Sequence, residues 1–156
     1  MIDIKSENII LKKIKTISNA TIYSIKNKDE MLLFNFNNVK IPFGLEKYYN
    51  DYILKIELDD INLKKIDIIE NKIKTLNKNK FKSQIKRNIS GKQFLTIKIV
   101  NNKNDISVKN KDNNLLTIFD IKKNSIINLD FYMDIVWAGK DSIVAKFKTK
   151  KIFIIK

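Results

Sequence analysis

From Ile127 every second residue is apolar: Ile127, Leu129, Phe131, Met133, Ile135 and Trp137, with Asn128, Asp130, Tyr132 and Asp134 between them. Successive side chains of a strand point to opposite faces, so this period of two predicts one long strand with a single buried face. Ala138-Gly139-Lys140-Asp141 interrupts the pattern, and it resumes at Ile143, Ala145 and Phe147, with Lys146, Lys148 and Lys150 on the opposite face. Residues 126–156 therefore predict a hairpin that sets an apolar sheet face beside a stripe of cations.

The rest of the chain must supply the other wall of that core. Ile9, Ile10, Leu11, Ile14 and Ile17 fit a short helix or a strand, with Lys12, Lys13 and Lys15 outward. Residues 20–26 and 31–36 alternate on either side of Asn27-Lys28-Asp29 and predict a hairpin. Pro42 and Gly44 predict an ordered bend after Ile41. Tyr52, Leu54, Ile56 and Leu58 share a strand face. Asn62 is placed to cap a helix over about 61–78, with Leu63, Ile66, Ile69, Ile73 and Leu76 on one side and Lys64, Lys72, Lys74 and Lys78 on the other. Residues 81–89 form a strand carrying Lys82, Lys86 and Arg87. In the strand 94–100, Leu95, Ile97 and Ile99 face the core, and Phe94, Thr96 and Lys98 face away. Asn101–Asp105 is a turn, 106–108 a short edge strand, and 120–125 a polar turn into the hairpin. Many short strands and one inserted helix predict a mainly β protein, an OB-fold-like barrel, as one domain over residues 1–156.

Charge gives the stripe a use. Thirty-one Lys and Arg stand against 17 Asp and Glu, a net +14. A field of that sign attracts polyanions, nucleic acid first and anionic membrane second. The chain is also rich in Asn and Ile, and Arg87 is its one arginine, so A/T-rich codon bias accounts for lysine over arginine more readily than for the excess over acids. Residues 61–92 hold ten Lys or Arg and two acids, a concentration such bias does not explain. No apolar run reaches the ~20 residues of a membrane helix, and no secretory leader is present, so an intracellular protein without a membrane partner is expected.

Catalytic chemistry is poorly provided for. The chain has no His and no Cys, which removes the commonest general base, the usual zinc ligands and the thiol nucleophile. Three scattered glycines make no phosphate-cradling loop. Asp59-Asp60 and Asp130/Asp134 are the best carboxylate pairs, and the latter would stand about 13 Å apart on a strand at ~3.3 Å per residue. The expectation is no enzyme, no metal and no cofactor.

Binding chemistry is better provided for. Lysines neutralise phosphates and aromatic rings stack on unpaired bases. Phe94 and Lys98, Tyr132, and Lys146, Lys148 and Lys150 lie on predicted outward faces. Tyr48, Tyr49 and Tyr52 read as loop packing, and Trp137 continues the apolar row as core. The lysine-rich helix lacks the Arg, Asn and Gln complement of a major-groove reader, which favours single strands.

Three stretches in succession carry a family resemblance: Ile41-Pro42-Phe43-Gly44-Leu45-Glu46-Lys47 with the strand to Leu58; the helix with Lys82-Ser83-Gln84-Ile85-Lys86 and the strand 95–99; and Asp120 to Trp137 with the closing arm 145–152. In this order the chain resembles the single-stranded DNA-binding proteins of nucleocytoplasmic large DNA viruses, distant relatives of podophage replication single-strand binders. The resemblance implies an OB-type barrel, no cofactor, and protection of unwound DNA in viral replication, recombination or repair, at replication sites in the host cytoplasm or in the virion. It implies replication proteins as partners and a homo-oligomer as a possible state. It places Lys82, Lys86, Lys98, Trp137, Lys146 and Lys148 on the DNA-facing surface, which for Trp137 conflicts with the core assignment. The phage proteins end in an acidic tail, whereas this chain ends Lys151-Ile152-Phe153-Ile154-Ile155-Lys156, so recruitment through a tail is not implied. A basic packaging protein and an RNA-binding barrel are the alternatives.

Overall fold

The computed structural model describes residues 3–99 and 106–156. The turn expected at Asn101–Asp105, and Val100 at the end of the strand before it, lie outside the described residues. Strands β1 (Ile9–Ile17), β2 (Ala20–Asn27), β3 (Glu30–Ile41), β4 (Glu46–Tyr48) and β5 (Asp51–Glu57) precede a helix, α1 (Asp60–Lys74). After it come β6 (Phe81–Lys82), β7 (Ile85–Arg87), β8 (Gln93–Ile99), β9 (Ser107–Asn110) and β10 (Leu115–Leu116). The chain finishes with β11 (Ser125–Met133), β12 (Ile135–Ala138), β13 (Ile143–Ala145) and β14 (Phe147–Ile154).

The fold is mainly β, as the alternation predicts, but its sheet is not closed into a barrel. The strands at its two ends are β4, which pairs with β5, and β6, which pairs with β13. They are three and two residues long, too short to continue a ladder.

The described residues fall into two compact units. The first takes Met1–Leu32, Asp60–Gln84 and Met133–Lys146. Its strands run β1-β2-β12-β13-β6. Ile9, Ile25, Val136, Ile143 and Ala145 from the strands and Ile66, Ile69 and Ile73 from α1 are buried. The three helix positions recur at spacings of three and four, one side of a 3.6-residue turn. The helix starts two residues before Asn62, with Asp60 favourably placed in its first turn. It closes with tightened bonds from the Thr75 and Leu76 N–H groups to the Lys72 and Ile73 carbonyls.

Glu70 is also buried on α1. One of its carboxylate oxygens accepts from the Ser83 hydroxyl (2.6 Å) and the other from the Gln84 backbone N–H (3.0 Å). Burial raises its pKa above the ordinary carboxylate value, against the pull of those two hydrogen bonds and of Lys74. This anchor falls where the predicted 81–89 strand is broken, at Ser83-Gln84 between β6 and β7.

The second unit takes Leu33–Asp59, Ile85–Tyr132 and Phe147–Lys156. Its strands run β4-β5-β8-β14-β11-β3, with β7 on β8 and β9 on β14. Four fully buried phenylalanines form its centre. Phe34 stacks on Phe131 at 4.8 Å, and Phe36 meets Phe131 edge-on at 5.0 Å. Phe147 meets Phe34 and Phe131 edge-on at 5.5 and 5.7 Å. Such pairs are worth ~0.5–1.5 kcal/mol each beyond the area they bury.

The C-terminal hairpin differs from its prediction in one respect: each arm is broken. The first arm breaks at Asp134, whose carbonyl accepts from the Ile25 N–H at 3.1 Å. Before the break the odd positions are buried, through Met133; after it Val136 is buried, and Ile135 and Trp137 are exposed. One irregular residue exchanges the faces of the rest of that arm, while Ile143, Ala145 and Phe147 of the second arm stay buried. The second arm breaks at Lys146, between β13 and β14.

Candidate nucleic-acid interface

The outward face of the second unit follows from three registers. Along β11, alternation buries Ile127, Leu129 and Phe131 and turns Asn128, Asp130 and Tyr132 the other way. β14 runs antiparallel beside it, with Tyr132 opposite Lys148 and Phe131 opposite Thr149. The register then slips, so that Asp130 lies opposite Lys151 and Asn128 opposite Phe153, and Lys150 is the extra residue of a β-bulge. Lys150 and Lys151 are therefore both exposed, and the buried row resumes at Ile152. On its other side β14 has two parallel neighbours: β8 brings Lys98 beside Lys148, and β9 brings Lys109 beside Phe153.

The result is one face carrying Lys98, Lys148, Lys151 and Lys109 with two half-buried rings, Tyr132 and Phe153. The Lys148 ammonium lies 6.0 Å from the Tyr132 ring centroid, a cation–π contact worth ~0.5–1 kcal/mol at an exposed site. Two acids temper this charge. Asp130 accepts from the Asn35 side-chain amide, and Asp51 pairs with Lys98 at 3.2 Å. Cations spaced along a strand with rings among them suit a flexible polyanion with exposed bases.

The predicted site residues divide. Lys98, Tyr132 and Lys148 come together in one cross-strand row, with Lys150 in the adjoining bulge. Lys86 and Arg87 are exposed on β7, opposite Phe94 and Gln93 of β8. Phe94 itself, expected to face outward, is only 6% exposed, because Phe43 from the Pro42 bend covers it at a centroid distance of 5.6 Å. It offers no ring face to a base. Lys82, Trp137 and Lys146 belong to the first unit. There Ile22, Trp137, Val144 and Lys82 are successive cross-strand neighbours on β2, β12, β13 and β6.

Trp137 is 45% exposed and not core. Its indole lies over Gly139, where a Cβ would stand 3.1 Å from Nε1. The ring borders an open pocket of about 310 Å³ lined also by Ile17, Ser18, Asn19, Ala20 and Lys140. Tyr48 and Tyr49, expected to pack, are exposed, while Tyr52 does pack, edge-on against Phe119 at 5.4 Å.

Lys151, Lys109 and Phe153 are absent from the sequence prediction. For Lys151 and Phe153 a signal existed: Thr149 and Ile152 are apolar-facing at a spacing of three, which in a strand marks a bulge. Lys109 had none, since a parallel neighbour from elsewhere in the chain places it. Among the described residues no group of three or more acids could hold a metal, and no helix is long and apolar enough to cross a membrane.

These features define a class of fold, an open, mainly antiparallel sheet with one helix between β5 and β6, consistent with an OB-like arrangement. Solved structures share it. The chain is similar to the single-stranded DNA-binding protein from bacteriophage Enc34 in its C-terminal truncation, with TM-score 0.54 and 12% identity over 97% of this chain and 97% of that one. It is similar to the structure of that phage protein in complex with ssDNA, with TM-score 0.53 and 12% identity over 94% and 95% of the two chains. At that identity the likeness is one of fold. No family model matches the sequence, and neither does any curated protein.

Proposed function

We propose that this protein binds single-stranded DNA with little sequence preference and without catalysis. The observation that carries the reading is the outward face of β8, β14, β11 and β9, where Lys98, Lys148, Lys151 and Lys109 surround Tyr132 and Phe153. Lysines on such a face displace the counterions condensed on phosphates, and rings stack on any base. The shared fold of a phage protein solved with ssDNA supports the same reading. The biological setting we propose is viral DNA replication, recombination or repair, in the host cytoplasm or the virion.

The test is fluorescence anisotropy of a labelled oligothymidine at low salt, with duplex DNA and an RNA of equal sequence as competitors. Single-stranded DNA should bind and resist competition by duplex. Absence of binding, or equal preference for duplex, overturns the reading; stronger competition by RNA redirects it to an RNA-binding module.

The exposed strand β1 favours a second reading, a basic packaging protein that self-associates. β1 pairs with β2 and carries exposed Ile10, Ile14 and Ile17. Its exposed Lys12, Lys13 and Lys15 oppose such pairing, as charges on edge strands do. Self-association that persists in light scattering without nucleic acid would favour this second reading.

A further inference from the structure

The turn between β4 and β5 holds a second group of rings, tied to the edge of the face described above by the Asp51–Lys98 ion pair. Tyr48 lies opposite Asp51, so Tyr49 and Asn50 alone make the connection. Tyr49 has φ +56°, in the left-handed region that two-residue hairpin loops ordinarily assign to Gly, Asn or Asp. A bulky side chain there is strained, and this one recovers little by burial, being 83% exposed. Tyr48 is 55% exposed, and its ring meets that of Tyr49 edge-on at 4.7 Å. The two rings brace each other while most of both stays in solvent.

The charges around the turn point to an anionic ligand. Its two acids are neutralised, Glu46 by Lys55 at 3.6 Å and Asp51 by Lys98 at 3.2 Å. Lys47 precedes Tyr48 on β4, where strand alternation turns it to the other side; it is exposed and has no ion-pair partner among the described residues. A conformationally costly aromatic pair, open to solvent and one residue from an uncompensated cation on the strand, is poor design for a turn and good design for stacking. We infer that Tyr49, braced by Tyr48, is a base-stacking residue for the bound single strand, with Lys47 meeting the adjoining phosphate. This rests on the single-strand reading above and extends that face past Lys98 to the β4–β5 turn.

The test uses the full chain with three substitutions. Tyr49→Gly suits the left-handed turn, so its melting temperature should hold or rise, yet its affinity for oligothymidine should fall about 5- to 150-fold, the loss of one stacked base. Because no phosphate contact is lost, the salt dependence should keep its slope. Lys47→Ala should instead reduce that slope by about 0.7. Tyr49→Trp should restore binding. A 5-iodouracil oligonucleotide should cross-link at Tyr49 in the wild type. If the wild type binds but Tyr49→Gly binds equally well and cross-links map elsewhere, the inference falls and the single-strand reading survives. If the wild type does not bind, both fall. If Tyr49→Gly spares DNA binding but abolishes adsorption to phosphatidylserine-containing vesicles, the turn is a membrane contact and the inference is wrong.

Discussion

Lys148 stands directly across from Tyr132 on the neighbouring strand, with its ammonium 6.0 Å from the centre of the phenol ring. The pair joins the two chemistries a single strand requires, and each half can be removed separately. Lys148→Ala with Lys151→Ala should lower the slope of log K against log salt by about 1.4, at ~0.7 per lost phosphate contact on a single strand. Tyr132→Leu should weaken binding by ~1–3 kcal/mol with the slope unchanged. Anisotropy titrations across a salt series separate the two effects, and an unchanged slope in the double variant would remove β14 from the interface.

Thr149 precedes the bulge and faces the core opposite Phe131. It is buried, and its hydroxyl has no hydrogen-bond partner among the described residues. Burying such a group costs ~1–3 kcal/mol. Thr149→Val keeps the shape and removes the polar atom, so it should stabilise by about 1 kcal/mol. Urea denaturation should show a higher midpoint with the same m-value.

Gly44 and Gly91 form a matched pair for measuring backbone approach. Both have positive φ, +64° and +88°. A Cβ on Gly44 would stand 2.9 Å from the Lys123 backbone nitrogen, whereas one on Gly91 would meet nothing within 4 Å. Gly91→Ala should cost about 1–2 kcal/mol from conformation alone. Gly44→Ala should cost clearly more, since the 122–123 backbone must move. Equal midpoints in parallel denaturations would show that the bend yields freely.

Glu70 makes stability depend on pH with a definite sign. Burial holds its folded pKa above the ordinary 4.5. The folded state therefore keeps the proton to higher pH than the unfolded state does. Stability from this group is full below the unfolded pKa, falls as pH rises toward the folded pKa, and is level above it. Glu70→Gln cannot titrate, so the wild type should lose stability relative to the variant as pH rises through that window. At low pH the variant should match the protonated wild type closely, because the amide oxygen can accept from the Gln84 N–H while the amide nitrogen donates to the Ser83 hydroxyl, as the protonated carboxyl does. Denaturation midpoints over a pH series check both statements.

Periodicity alone located most strands, the helix, and the outward positions of Lys98, Tyr132 and Lys148, because each depends on neighbours one or two residues away. What it missed depends on partners far along the chain. The Ile25–Asp134 bond breaks the alternation and turns Trp137 outward. Phe43 covers Phe94 from a bend some fifty residues earlier. Parallel pairing brings Lys98 and Lys109 to β14. Lys82 and Lys86 look like one strand in sequence, but Glu70 anchors the residues between them and they join different ladders.

The position of β14 bears on how the chain is made. It is flanked by β11 on one side and by β8 and β9 on the other, yet it leaves the ribosome after all three. At ~5–20 residues per second, β8 waits about 2–10 s for Phe147 to appear. β8 presents an open edge to other nascent chains throughout that interval, and β9 and β11 do so from their own emergence onward. A message cut short before Phe147 would therefore yield a product prone to aggregation, and full-length yield in cells should respond to temperature and chaperone supply more than its folded stability suggests.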